Sequence, residues 1–434
     1  MKFYLALALC AAAVPAIYGQ AVPASSMSPT IGPNLPTIDG VLHYSLSASE
    51  MFQTGYRSQG VTAMTSLSGN AGYNSRSTVR PFSMLYAGGV LLGNRYGQGV
   101  RTFQNFAVSQ GLVAGAWIFG ISDSVSYLPQ SPTTGLSGIP GVGDLGSQPI
   151  QGPSVGPAGG ALFNNSVNIS NSLSGSLERR LTSLTSASGG ASWTILRFPD
   201  NDGLDNSQIS GQAGLNHRLD ARDTISANAS YSTFRYGNNI GLTMQTRGIN
   251  GAFQRVLSRT MSMSASAGPM WISSSNSLLM PSRTTVAANL ALTYSREFTT
   301  ASLTYSRGVN GGSGIQPGAL SDNLGAMIGR TYGRDWMASL SANYTRTSGL
   351  LKNPVGTPPV GAGFLYAGGS SNTIYGGVQV SRRLSDSLSA FASYNLQHQS
   401  IDSSLAAQNA FSGLSNTFGI GISFSPRATR LGQF

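Results

Sequence analysis

The sequence predicts an all-β protein, a transmembrane, antiparallel, up-and-down β-barrel of about 16–18 strands. Three observations carry that expectation. Charged residues make up only 9% of the chain and hydrophobic ones 40%, whereas an ordinary soluble domain is roughly a quarter charged. Apolar and small polar residues alternate with period two from about residue 165 to the end, the pattern of strands with two unlike faces. Beyond the N-terminal segment, no stretch approaches the ~18 uninterrupted apolar residues that a spanning helix needs.

The alternation repeats in separate segments. Between Asp335 and Thr345, Trp336, Ala338, Leu340, Ala342 and Tyr344 form one row, opposed by Met337, Ser339, Ser341, Asn343 and Thr345. Ile225, Ala227, Ala229 and Tyr231 likewise oppose Thr224, Ser226, Asn228, Ser230 and Ser232. Further rows run Val286, Ala288, Leu290, Leu292 and Tyr294 against Asn289, Thr293 and Ser295, and Leu388, Ala390, Ala392, Tyr394 and Leu396 against Ser389, Ser393, Asn395 and Gln397. A soluble sheet would normally place charges on its wet face, but here that face holds hydroxyls and amides. Tyr231, Tyr294, Tyr305, Tyr344 and Trp336 stand near the ends of apolar rows, where an amphipathic ring fits a headgroup boundary.

The links supply an independent test, because membrane barrels alternate short turns on one side with longer loops on the other. Short polar turns fall at 179–182, 220–223, 257–260, 296–299, 332–335 and 382–386. Longer links rich in Gly, Asn, Pro and Asp fall at 199–206, 273–282, 308–321, 348–372 and 401–415, with a shorter one at 236–239. Earlier strands are expected near 43–56, 61–73, 79–92, 100–112 and 116–128, which brings the total to about eighteen, with sixteen as the nearest rival. The barrel therefore spans 40–425, interrupted by a long Gly/Pro/Ser-rich link at 129–163, and is followed by a tail at 426–434.

Lys2, the apolar run from Phe3 to Val14 and the small residues up to Ala21 have the layout of a cleavable secretory signal peptide over 1–21. Residues 22–39 are Pro/Ser-rich and read as a flexible periplasmic arm. The one cysteine, Cys10, lies within the signal, so the mature chain has no thiol chemistry, disulfide or cysteine metal site. The abundance of aromatic residues, 17 Tyr, 17 Phe and 4 Trp, argues against disorder. The formal charge of +11 would suit nucleic acid or anions, but export and the lack of a basic run point away from nucleic acid.

Near the C-terminus, Phe418, Ile420, Ile422 and Phe424 alternate with Gly419, Gly421 and Ser423. This segment is similar to the terminal strand by which the barrel-assembly machinery recognises Gram-negative outer-membrane β-barrels. The chain resembles that porin-like class at the level of pattern over most of its mature length. It departs from the usual ending, because Ser425 to Phe434 follow the last aromatic residue. The resemblance implies location in the cell outer membrane, with lipid, lipopolysaccharide and the assembly machinery as partners, and allows assembly as a homo-oligomer. The long link after the fifth strand is similar to the loop that folds into the pore of general porins. It carries only Asp144 as an acid, so the location transfers and no residues do.

Since lipid excludes unpaired backbone groups, Phe418 to Phe424 should close the ring against the first strand. The pore-lining candidates are Arg218, Arg247, Asn228, Asn289, Asn343, Asn395 and Gln397, all read as lying on polar rows. Arg179, Arg180, Arg222, Arg259, Arg382 and Arg383 read instead as boundary anchors beside turns. No catalytic, cofactor or metal residues are expected. His217 and His398 share apolar-row parity but fall at opposite boundaries, and Asp200, Asp202 and Asp205 read as a solvated loop tip rather than a calcium site.

The functional expectation is a channel for passive diffusion of small hydrophilic solutes, anionic or neutral, and not an enzyme. Residues 135–160 would narrow the pore. The alternative is a non-conducting barrel that serves as an anchor or surface-interaction protein. A secreted β-solenoid would require a uniform repeat, which the alternation of long and short links contradicts.

Overall fold

The computed structural model describes residues 40–55, 60–77, 79–93, 100–129, 167–199, 203–237, 241–312, 316–352, 369–402, 412–427 and 429–431. The expected signal peptide, the arm at 22–39 and nearly all of the link at 129–163 lie outside the described residues. The strands are β1 (Gly40–Thr54), β2 (Thr62–Ser75), β3 (Phe82–Gly93), β4 (Arg101–Ala114), β5 (Trp117–Pro129), β6 (Val167–Arg180) and β7 (Thr185–Arg197). Next come β8 (Asn206–Arg218), β9 (Asp223–Tyr236), β10 (Thr243–Ser258), β11 (Met261–Ser274), β12 (Arg283–Arg296) and β13 (Thr299–Asn310). The remainder are β14 (Ala319–Tyr332), β15 (Trp336–Gly349), β16 (Ser370–Arg383), β17 (Leu388–Ile401), β18 (Gly413–Phe424) and the short β19 (Thr429–Leu431).

Each strand from β1 to β18 pairs antiparallel with its sequence neighbours. The ring closes where β1 meets β18, with Leu46 opposite Phe424, Ala48 opposite Ile422, Glu50 opposite Ile420 and Phe52 opposite Phe418. Closure leaves no edge of unpaired amides, the condition a sheet must meet in hydrocarbon. The sheet has 19 strands, yet the wall has eighteen staves, because β19 continues the β18 edge along the start of β1. Part of the expected tail at 426–434 is thus a strand, with Gly40 opposite Leu431 and Leu42 opposite Thr429. Arg427 pairs with Asp386 in the β16–β17 turn, tying down the segment between β18 and β19.

The two faces are inverted relative to a soluble protein. Outward rows carry exposed large apolar residues, such as Leu340, Ile374, Val378, Ile420 and Ile422. Inward rows carry Ser, Thr, Asn, Gln and Gly, many of them buried. Facing hydroxyls pair across strands on the inward side, as in Ser47–Ser68 and Ser192–Ser210, both at 2.6 Å. Cross-strand pairs of this kind contribute roughly 0.2–1 kcal/mol each.

Turns at one end of the barrel are short and chemically defined. Gly115 and Gly333 take φ of 59° and 63°, a left-handed backbone that disfavours any side chain. Thr182 Oγ1 accepts hydrogen bonds from the amides of Leu184 and Thr185. Asp220 Oδ1 accepts from Arg222 and Asp223, and these two amides hold its carboxyl below the ordinary carboxylate range.

Candidate functional site

The lumen wall is the one surface on which the sheet gathers polar groups from every strand. Asn228, Asn289 and Asn343 are half-buried on inward rows, and Asn395 and Gln397 are buried there. Three of these amides stand directly opposite a glycine on the preceding strand: Gly214 opposite Asn228, Gly325 opposite Asn343 and Gly377 opposite Asn395. A Cβ at Gly214 would lie 2.0 Å from Asn228 Oδ1, and one at Gly377 would lie 2.9 Å from Asn395 Oδ1. The glycines therefore make room for the amides to lie against the wall. Tyr375 donates to Asn395 Oδ1 at 2.8 Å, which fixes that side chain further.

The arginine candidates divide. Arg218 is the last residue of β8, on the inward row at the rim with the short turns. Arg247 does not line the lumen. It shares its row with Ile249, which is exposed to the lipid side, and its guanidinium lies 5.9 Å from the ring centre of Tyr231, with Trp271 opposite it on β11. The sequence misleads at this point because β10 carries polar residues on both faces near its start, Gln245 and Arg247 outward against Thr246 and Asn250 inward. An outward arginine near the long-loop boundary is tolerable because its stem covers apolar surface while its head reaches the headgroup layer.

Several boundary arginines at the opposite rim follow the same rule. Arg179 stacks over Trp117 at 4.8 Å, Arg330 over Tyr332 at 5.1 Å and Arg382 over Trp336 at 5.2 Å. Arg383 instead bonds Asp386 at 2.9 Å within the turn. Of the histidines, His217 meets Thr185 Oγ1 at 2.9 Å on the outward row near the short-turn rim, and His398 is exposed towards the long-loop end. Asp205 accepts from the Phe198 amide at 2.9 Å and lies 3.7 Å from Arg197, while Asp200 and Asp202 lie outside the described residues.

A further feature has no counterpart in the sequence reading. At the long-loop end, the inward residues Phe234, Tyr236, Met244 and Ile272 pack with Leu204, Leu242, Met280, Leu350 and Leu351 into an apolar cluster. Residues 275–282 and 350–352 are joined through the Lys352 amide, which donates to the Leu279 carbonyl at 2.9 Å. Gly318, at φ 74°, lies close enough that a Cβ would sit 2.8 Å from Met244 Sδ. A second cluster, Met51, Met64, Leu91 and Phe103, lines the inner wall of β1–β4. The sequence signal is a change of parity, since on β9 the apolar residues move from the odd row to Phe234 and Tyr236, and Met244 stands on the polar row at the start of β10.

Eighteen staves closed on themselves, an apolar outer band and a polar inner wall define an antiparallel, up-and-down transmembrane β-barrel. No protein-family model matches the chain, and no curated protein matches it. Among solved structures, OpdQ of Pseudomonas aeruginosa aligns with 9% identity and a TM-score of 0.41, over 89% of this chain and 98% of that one. OprD of the same organism aligns with 11% identity and a TM-score of 0.41, over 89% and 95%. The FrpB iron transporter of Neisseria meningitidis aligns with 8% identity and a TM-score of 0.42, over 83% of this chain and 62% of that one.

Proposed function

We propose that the protein is an outer-membrane channel for passive diffusion of small hydrophilic solutes, anionic or neutral. The observation that supports this best is the inward face itself. Barrels of this strand number leave an aqueous interior, whereas eight-stranded ones are filled by side chains, and here the inward rows from β7 to β13 hold half-buried or exposed hydroxyls and amides over their short-turn halves. In this reading the short-turn end is periplasmic and the N-terminal segment serves export. The strand from Phe418 to Phe424 is the element offered to the barrel-assembly machinery. Lipid and lipopolysaccharide contact the outer band, and association of identical barrels is compatible with it.

Reconstitution of the purified protein into planar bilayers tests the proposal, with stepwise conductance as the expected result. One observation favours the alternative, a plugged barrel that acts as an anchor or surface-interaction protein. The inward residues of β16–β18, including Thr373, Gln379, Gln397 and Gln399, are buried rather than open to a lumen, and the apolar cluster packs loop residues against the inner wall. Silent bilayers at high protein load, with correctly folded barrel, would favour that reading.

A further inference from the structure

The distribution of charge within the wall is one-sided. Along the strands, charged side chains point outward wherever they lie away from a rim. Asp123 stands between the outward rings of Phe119 and Tyr127, in the middle of the apolar band, and accepts from Asn171 Nδ2 at 2.8 Å. Arg307 and Asp322 pair on the outer face at 2.9 Å, and Arg255 and Asp223 pair there at 3.5 Å. On inward rows, the charged side chains among the described residues occur only within three residues of a strand end: Glu178, Arg180, Arg218 and Arg383 at the short-turn rim and Arg283, the first residue of β12, at the other. Between those rims the inward rows offer only uncharged groups. Of the long links, 130–166 carries one charged residue, Asp144, 353–368 and 403–411 carry none, and 199–206 carries Asp200, Asp202 and Asp205.

We infer that the preferred solutes of this channel are uncharged, polyhydroxylated molecules of the small-sugar or polyol class. The inference rests on the channel reading above and narrows it. Rings of charged side chains are one common source of charge selectivity in a wet pore, and among the described residues the wall between the rims has none. What it offers is paired donor and acceptor capacity. A serine or threonine hydroxyl both donates and accepts, and an Asn or Gln amide presents one group of each kind, which matches the alternating capacity of a sugar hydroxyl. The amides of Asn228, Asn289 and Asn343 are half-buried on this inner wall, where a solute can reach them. The net charge of +11 thus belongs chiefly to the boundaries with lipid and to the rims, and contributes little to what passes between them.

Two measurements on the full-length mature protein test this. Reversal potentials across a potassium chloride gradient are expected to give an anion-to-cation permeability ratio within about twofold of unity. In liposome swelling, a neutral hexose is expected to enter faster than gluconate or lysine of similar size. Asn289→Asp, which adds a carboxylate to the open inner wall, is expected to shift the ratio at least about threefold towards cations. Arg247→Gln, on the outer face, is expected to leave it unchanged. Conducting channels with strong anion or cation preference, or a ratio that follows Arg247 and ignores Asn289, would overturn the neutral-solute assignment while leaving the channel standing. Absence of both conductance and swelling would remove the channel reading itself, and this inference with it.

Discussion

Along β9 the inward side chains run Thr224, Ser226, Asn228, Ser230 and Ser232, and then change to Phe234 and Tyr236. Thr224 to Ser230 are half-buried and polar, Ser232 is buried, and the last two residues are buried in a cluster with loop residues. One row of one strand thus serves two environments. Near the short turns, the side chains of this row pack against no loop residue among those described, and hydroxyls pair with one another across strands. Near the long loops, returning segments bring Leu204, Met280 and Leu350 back over the wall, and apolar side chains gain more by packing than by wetting. The difference shows that link length, as well as strand pattern, sets the chemistry of an inner face.

The contrast can be broken by substitution, and the largest effect belongs to the packed end. Phe234→Ala should destabilise the barrel by about 3–5 kcal/mol, read by urea titration in detergent or lipid, and should make conductance noisier as the loops loosen. A result below about 1 kcal/mol would mean that the cluster is not a core. On the outer face, Ile328→Arg should cost about 2–4 kcal/mol if the residue sits at the bilayer midplane, and far less at a boundary. Its measured cost therefore sets the position of the membrane on β14.

At the polar end, Gly214→Val should cost about 1–3 kcal/mol by driving into Asn228. The double variant Gly214→Val with Asn228→Ala should recover much of that loss. If the second substitution restores nothing, the glycine serves the backbone rather than the amide. The smallest effect belongs to Asp220, whose carboxyl is held below the ordinary range by two turn amides. A lowered folded pKa means that its contribution is present above the unfolded carboxylate value and is lost as pH falls through the folded one. Heat-modifiable gel migration of Asp220→Asn should therefore match wild type at strongly acid pH and fall slightly behind it near neutrality.

Much of the wall was legible in the sequence, because a period of two carries both strand identity and face. The pattern at Trp336 to Thr345 identifies β15, its lipid row and Asn343 on the other side. The closing pair was equally legible, since a ring in hydrocarbon must join its first and last strands. Arg247 was misread because polar residues occupy both faces near the start of β10, so parity alone did not say which face was wet. The apolar clusters were missed because alternation describes a strand against two uniform environments, and a loop that folds back over the inner wall creates a third.

The sequence by itself determined the class of fold, the approximate number of strands, the sidedness of the links and which parity of each regular strand is apolar. These follow from local rules: the two-residue period of a strand, turn chemistry, and the exclusion of unpaired amides and charges from lipid. Only the tertiary structure decided that β19 extends the seam, that Gly214, Gly325 and Gly377 lie opposite inward amides, that Arg247 faces lipid, and that, among the described residues, inward charge lies at the rims. Each of these depends on register between strands or on contact between distant links, and neither is encoded within a window of neighbouring residues.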